Sequence, residues 1–228
     1  MTASTTSVGT GLDDPAVRRV LDELYQASAT DDDIVQHALS LVAGREEPPS
    51  LAESVELTTD ALLPVQPKVG QFLHHLVRTL RPARVVEFGT SYGISTIHLA
   101  AALRENGTGS IVGSEMNARK VAEARKNLAA AGLADLVEVR EGDARETLAD
   151  LDGPVDFVLL DGWKELCLPL LEILAPKMRP GTVIVADNLS MMPQEYLDVV
   201  RAKGGDYVSI DLPLGEGIEL TTRVTPAG

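Results

Sequence analysis

Val85-Val86-Glu87-Phe88-Gly89-Thr90-Ser91-Tyr92-Gly93 is the stretch on which the fold turns. A β-branched pair followed by an acid and an aromatic reads as a buried strand. The two glycines after it, separated by three residues, mark a sharp turn where a ligand can approach the backbone before a helix begins. From Arg84 onward, short β-branched runs alternate with stretches of helical period, which predicts a parallel sheet covered on both faces. Strands are expected near residues 84–88, 110–114, 137–140, 155–160, 182–186, 207–211 and 218–224. Helices are expected near 95–104, 118–131, 144–151, 165–178 and 194–203. The connection Pro213 to Gly217 is too short for a parallel crossover, so the last two strands should form an antiparallel hairpin. The expected fold class is therefore α/β, a doubly wound, seven-stranded, mostly parallel sheet with a terminal antiparallel hairpin.

Upstream of this core, Asp13-Asp14-Pro15 supplies an N-cap and a first-turn proline for a helix carrying Val17, Val20, Leu21 and Leu24 on one face. Asp31 to Asp33 open a second helix through Leu41, and an apolar helix runs from Val69 to about Leu80. Glu46-Glu47-Pro48-Pro49 and Pro64 to Pro67 are breaks between them. The organisation expected is a disordered Ser/Thr/Gly-rich tail over residues 1–11 and a single domain over 12–228, divided into a helical cap (12–82) and the α/β core (83–228). The cap also offers a face on which a second copy could pack as a homodimer.

Composition narrows the partners. The net charge of −14 works against nucleic acid or anionic lipid, and Lys and Arg are scattered singly or in pairs rather than gathered in a patch. No apolar run approaches the roughly 20 residues of a membrane span. The amino-terminal stretch lacks the basic and apolar regions of a signal peptide, and the sole cysteine, Cys167, sits among leucines as an inert thiol would. The expectation is a cytoplasmic protein with a small-molecule partner.

The glycine spacing lacks the Gly-x-Gly-x-x-Gly that seats a pyrophosphate on a helix N-terminus, and Glu87 precedes the first glycine, so the ligand is not expected to be a diphosphate. Glu115 ends the second strand, where a carboxylate can accept hydrogen bonds from both hydroxyls of a ribose. Asp143, with Ala144, follows the third strand and could border an adenine, although strand-end acids also cap the next helix. A second group lies at the ends of the fourth and fifth strands. Asp161, Asp187 and Asn188 would converge there as two carboxylates and an amide, a hard-oxygen set suited to Mg²⁺ or another divalent cation. Lys164, three residues after Asp161, is the candidate general base.

The segment Pro67 to Val224 resembles the class I S-adenosylmethionine-dependent methyltransferases, which have a Rossmann-like sheet ending in an antiparallel hairpin. That resemblance implies S-adenosylmethionine as cofactor, with Glu87, Gly89, Ser91 and Gly93 around its methionine end and Ser95 near its carboxylate. It further implies Glu115 on the ribose and Met116 and Ala144 about the adenine; Asp143 and Asp161, from their strand-end positions, are expected to border the same pocket. Asp161-Gly162-Trp163-Lys164, together with Arg179-Pro180-Gly181-Thr182-Val183 and Val185-Ala186-Asp187-Asn188, is similar to the metal-dependent catechol and caffeoyl-CoA O-methyltransferases. Pro67-Lys68-Val69-Gly70-Gln71 and Leu212-Pro213-Leu214-Gly215-Glu216-Gly217 extend the similarity. It implies Mg²⁺ on Asp161, Asp187 and Asn188, Lys164 as base, and a small aromatic with adjacent hydroxyls as acceptor. Two departures stand out. Gly162 occupies the place of a histidine near the adenine, and the family's substrate-side glutamate has no secure counterpart, Asp211 being nearest. Met191 and Met192, after Asn188, would line an apolar acceptor pocket. A metal-independent methyltransferase and a nicotinamide-binding oxidoreductase remain the alternatives.

Overall fold

The computed structural model describes residues 10–225. Most of the expected tail, residues 1–9, lies outside the described residues. Thr10 and Gly11, placed at the tail's end from sequence, instead start a 3-10 turn, Gly11–Asp13, in which the Thr10 N–H donates to Asp13 at 2.8 Å.

Helix α1 (Pro15–Ala27) begins as its sequence dictates. Asp14 accepts from the Ala16 N–H at 2.8 Å, Pro15 fills the first turn, and Val17, Val20, Leu21 and Leu24 are buried. Helix α2 (Asp31–Val42) follows, and its Asp31 reaches across to the N–H groups of Leu62 (3.0 Å) and Leu63 (2.7 Å). Helix α3 (Leu51–Leu57) was not expected, being too short for its period to register; its signal is Ser50, which accepts from the Glu53 N–H at 3.2 Å. Helix α4 (Pro67–Leu80) starts on a first-turn proline and packs along α5 (Ile94–Asn106), whose sides are almost all buried.

The sheet comprises β1 (Arg84–Phe88), β2 (Ser110–Glu115), β3 (Val137–Glu141), β4 (Val155–Leu160), β5 (Met178–Asp187), β6 (Tyr207–Leu212) and β7 (Ile218–Arg223) in the order β3-β2-β1-β4-β5-β7-β6. The first five are parallel; β7 runs antiparallel between β5 and β6. Helices α6 (Ala118–Ala130), α7 (Ala144–Thr147), α8 (Cys167–Leu174) and α9 (Gln194–Val200) complete the layers. Three of these are shorter than expected. The helix predicted over 165–178 breaks into 3-10 turns at both ends, around α8; at the carboxyl end Pro176 cannot donate the backbone bond that would continue it. Strand β5 is longer than expected, since Met178 already pairs with Val155 before a register shift carries the chain through the exposed Arg179, Pro180 and Gly181.

Alternation explains why both faces of the sheet are covered. Val85, Phe157, Leu159, Val183 and Val185 join α1, α4, α5 and α6 in one core, while Val86, Phe88, Val158, Leu160, Ile184 and Ala186 join α7, α8 and α9 in the other. Because β1, β2, β4 and β5 point the same way, their carboxyl ends place Gly89, Glu115, Asp161 and Asp187 around one crevice. Among the described residues, no helix is long and apolar enough to cross a membrane.

Candidate active site

The crevice is a cavity of about 1070 Å³, walled on one side by the strand ends and on the other by α2, α3 and the segment leading to Pro64. Of the residues expected at a ligand, Gly89, Ser91, Glu115, Met116, Ala144, Asp161, Lys164, Asp187 and Asn188 line it. Glu87, Gly93, Ser95 and Asp143 do not, and each has a reason.

Glu87 is fully buried and accepts from three hydroxyls, Thr90 at 3.0 Å, Ser95 at 2.7 Å and Thr96 at 2.5 Å. Burial pushes its carboxyl up to about 7 against the pull of those donors. Glu87 and Ser95 thus lock the turn to the first helical turn of α5. Gly93, at φ 89°, is the residue from which that helix starts. Asp143 caps α7, accepting from the Arg145 N–H at 2.8 Å and pairing with its guanidinium, which with that cap holds its carboxyl below the usual range. For this acid the capping reading is the one the geometry carries.

The turn itself approaches its neighbour closely. Gly89 has φ 93°, and a Cβ there would stand 2.6 Å from the Asp161 carbonyl oxygen, so only glycine lets β1 and the end of β4 meet. Ser91, at φ 46°, donates its hydroxyl to the Leu62 carbonyl at 2.7 Å and its N–H to Glu115 at 2.8 Å. The other oxygen of Glu115 accepts from the Asn117 N–H at 2.8 Å. Glu115 thus ties the tip of β1 to the tip of β2 while still facing the cavity.

At the tip of β4 Lys164 donates to Asp161 at 3.2 Å, both side chains being nearly buried. Asp187 is 3% exposed, and its Oδ1 is buried without a hydrogen-bond partner. Burial, reinforced by the charge of Asp161, pushes the Asp187 carboxyl up to about 7. Burial also raises Asp161, opposed by Lys164. Asn188 holds a left-handed backbone (φ 57°), and its amide donates to Glu216 at 3.4 Å. Two desolvated carboxylates, one with an orphaned oxygen, and a neighbouring amide oxygen fit a hard divalent cation. Among the described residues, no three His, Cys, Asp or Glu side chains form such a group by themselves, so the Asn188 amide is needed as the third oxygen.

Sequence reasoning missed Glu216. It lines the cavity and raises both aspartates through its charge, yet it lies in a loop whose position depends on β7 slotting beside β5. The two methionines part company: Met191 lines the cavity and is 65% exposed, whereas Met192 is buried in the core. Cys167 is a buried free thiol pushed up to about 12 by burial, as an inert core residue should be. At Gly162 a Cβ would land on the ring of Phe88, itself buried, so this ring occupies the space a larger side chain would need. Gly162→Ala is expected to lower stability by about 1–3 kcal/mol through overpacking, read as a lower midpoint in chemical denaturation.

The strand order, the glycine turn and the acid-tipped cavity are those of a methyltransferase, and residues 86–189 match the family described as Methyltransferase domain. A catechol O-methyltransferase of Niastella koreensis is 34% identical over 161 residues, spanning 68% of this chain and 72% of that one. Another from Mycobacterium tuberculosis is 38% identical over 145 residues, spanning 62% and 65%. The solved O-methyltransferase TomG of Streptomyces achromogenes, in complex with S-adenosylmethionine, superposes with a TM-score of 0.65 at 27% identity, covering 89% of this chain and 99% of that one. A Bacillus cereus O-methyltransferase in complex with S-adenosylhomocysteine gives 0.63 at 26% identity, covering 88% and 99%. The chain belongs to the catechol O-methyltransferase family and is an S-adenosylmethionine-dependent O-methyltransferase.

Proposed function

We propose that the chain transfers the methyl group of S-adenosylmethionine to one hydroxyl of a small aromatic bearing adjacent hydroxyls, with Mg²⁺ or another divalent cation as cofactor. The observation that carries this reading is the orphaned Oδ1 of Asp187 beside the buried Asp161 and the Asn188 amide. These three residues would hold the cation. When bound, it would neutralise the carboxylates, position two vicinal oxygens and make the hydroxyl more acidic.

S-adenosylmethionine supplies a methyl carbon on a positively charged sulfur. Gly89, Ser91, Glu115, Met116 and Ala144 line the part of the cavity suited to it, with Glu115 on the ribose; Glu87, Gly93 and Ser95 preserve the shape of the turn. Lys164, in its neutral amine form, takes the proton of the acceptor hydroxyl and becomes the ammonium. The acceptor oxygen then forms its bond to the methyl carbon as the carbon–sulfur bond breaks and the electron pair goes to sulfur, leaving S-adenosylhomocysteine. Holding donor and acceptor in line contributes several kcal/mol of the barrier reduction. Glu216 and the exposed Met191 face the acceptor side, the first as a hydrogen-bond acceptor and the second as apolar wall. The reading places the reaction in the cytoplasm, in keeping with a single buried thiol.

The Lys164–Asp161 ion pair favours a second reading, in which the lysine alone compensates the acids and no metal is used. Methyl transfer to catechol in EDTA separates the two. The expected result is loss of at least about 100-fold in rate, restored by Mg²⁺, corresponding to several kcal/mol of electrostatic stabilisation. Undiminished turnover in EDTA would establish the metal-independent enzyme instead.

A further inference from the structure

The charges on the cavity walls do not balance. Among the described residues, the cations lining it are Lys120 and Lys164, and both are matched: Lys120 faces Glu115 and Asp31, and Lys164 is paired with Asp161. No arginine joins them. Asp187 would in turn be answered by the divalent cation proposed for Asp161, Asp187 and Asn188. Two acids beside that position are left over. Glu165 follows Lys164 in the 3-10 turn Lys164–Leu166, and Glu216 sits in the loop before β7, where its charge reaches both Asp161 and Asp187. Both glutamates are exposed, and among the described residues neither makes an ion pair; Glu216 accepts from the Asn188 amide at 3.4 Å. Asp32, on α2, adds a further negative charge to the walls.

An acceptor that presents its two hydroxyls to Asp161, Asp187 and Asn188 has Met191, 65% exposed, and Glu216 for neighbours around the rest of its ring. An uncompensated carboxylate repels a like charge brought beside it, and the low-dielectric walls of a cleft strengthen that field. Met191 offers apolar contact to a substituent of any charge, so discrimination falls to the acids. We infer that Glu165 and Glu216 select the acceptor by charge. A catechol whose substituent is neutral or carries an ammonium is admitted, and one that carries a carboxylate or a phosphate is turned away. Such selection works by a repulsive element aimed at the wrong substrate, and it presupposes the vicinal-hydroxyl acceptor proposed above.

The test holds the ring constant and varies the charge. At saturating Mg²⁺ and S-adenosylmethionine and near-neutral pH, kcat/KM would be compared for three catechols of similar size, bearing an aminoethyl, an ethyl or a carboxymethyl group. Wild type should favour the aminoethyl over the carboxymethyl acceptor by about 10-fold, mainly through KM, as expected of charges acting over several ångströms through a partly aqueous path. The preference should shrink as added salt screens it. Glu165→Gln combined with Glu216→Gln should bring the ratio to within about three-fold of unity, the residue expected of weaker, more distant charges. Each variant is read as a ratio between two acceptors, so a loss common to both, through Asn188 or through the fold, cancels. The single variants should each give part of the change and serve if the double variant does not fold. A wild type that treats the three acceptors alike, or prefers the carboxymethyl one, would overturn charge selection and leave the proposed function standing. So would a ratio that neither the glutamines nor salt can move. Failure of wild type to methylate even the ethyl acceptor would overturn the proposed function, and charge selection with it.

Discussion

Lys164→Ala is expected to cut turnover of a catechol by roughly 10²–10⁴-fold, the range for removing a positioned general base, while S-adenosylhomocysteine binds as before. The argument is geometric. Lys164 opens the 3-10 turn that follows β4, and its ammonium is drawn to Asp161 at 3.2 Å, beyond the β4 tip rather than on β2, where Glu115 lies. Truncating it removes no group from the cofactor's share of the walls. It also takes away a positive charge, so a cation held by Asp161, Asp187 and Asn188 gains rather than loses attraction, and added Mg²⁺ should not rescue the rate. Single-turnover kinetics at saturating Mg²⁺, beside calorimetry with S-adenosylhomocysteine, would read the two effects separately. Full turnover in the alanine variant would remove Lys164 from the chemistry. A fall in cofactor affinity matching the fall in rate would make it a binding residue instead.

Lys164 also illustrates what the chain reveals unaided. Its spacing from Asp161 is local, so the pairing of the two could be read directly. The strands were legible for a related reason: Val85-Val86 and Phe157 to Leu160 are buried on both faces, which leaves continuous apolar runs that helices rarely imitate. Helix α3 escaped notice because seven residues carry too little period. The acids were harder. Glu87 and Glu115 look alike from sequence, each at a strand end before a turn, but Glu87 lies one pleat deeper, among hydroxyls that α5 supplies. Thr90, Ser95 and Thr96, three hydroxyls within nine residues of a buried acid, were the available sign. Glu216 left no sign of this kind. Its approach to Asp161 and Asp187 follows from β7 pairing Ile218 with Asp187, a long-range register that spacing along the chain does not encode.

That register bears on the second large effect, at Asp187. Asp187→Asn is expected to abolish most of the activity, by at least about 100-fold, and at the same time to stabilise the metal-free protein by roughly 1–3 kcal/mol. The two outcomes share one cause. Without a cation, Asp187 is a desolvated carboxylate beside Asp161 with an oxygen that nothing in the protein satisfies, and the folded state prefers it protonated up to about pH 7. An unfolded aspartate titrates near 3.9. Between those values the folded chain binds the extra proton, so this group favours folding below pH 4, loses that advantage as pH rises, and opposes folding in full above about 7. Asparagine carries no such penalty, so its gain over wild type in EDTA should be largest at pH 8 and shrink toward pH 4. Denaturant midpoints at both pH values would show it. Saturating Mg²⁺ should then reverse the order, because a cation that binds only the folded wild type stabilises it by mass action. An asparagine variant no more stable than wild type at pH 8 without metal would mean that the orphaned oxygen is not a strained ligand held ready for a cation, and the metal reading of this site would lose its support.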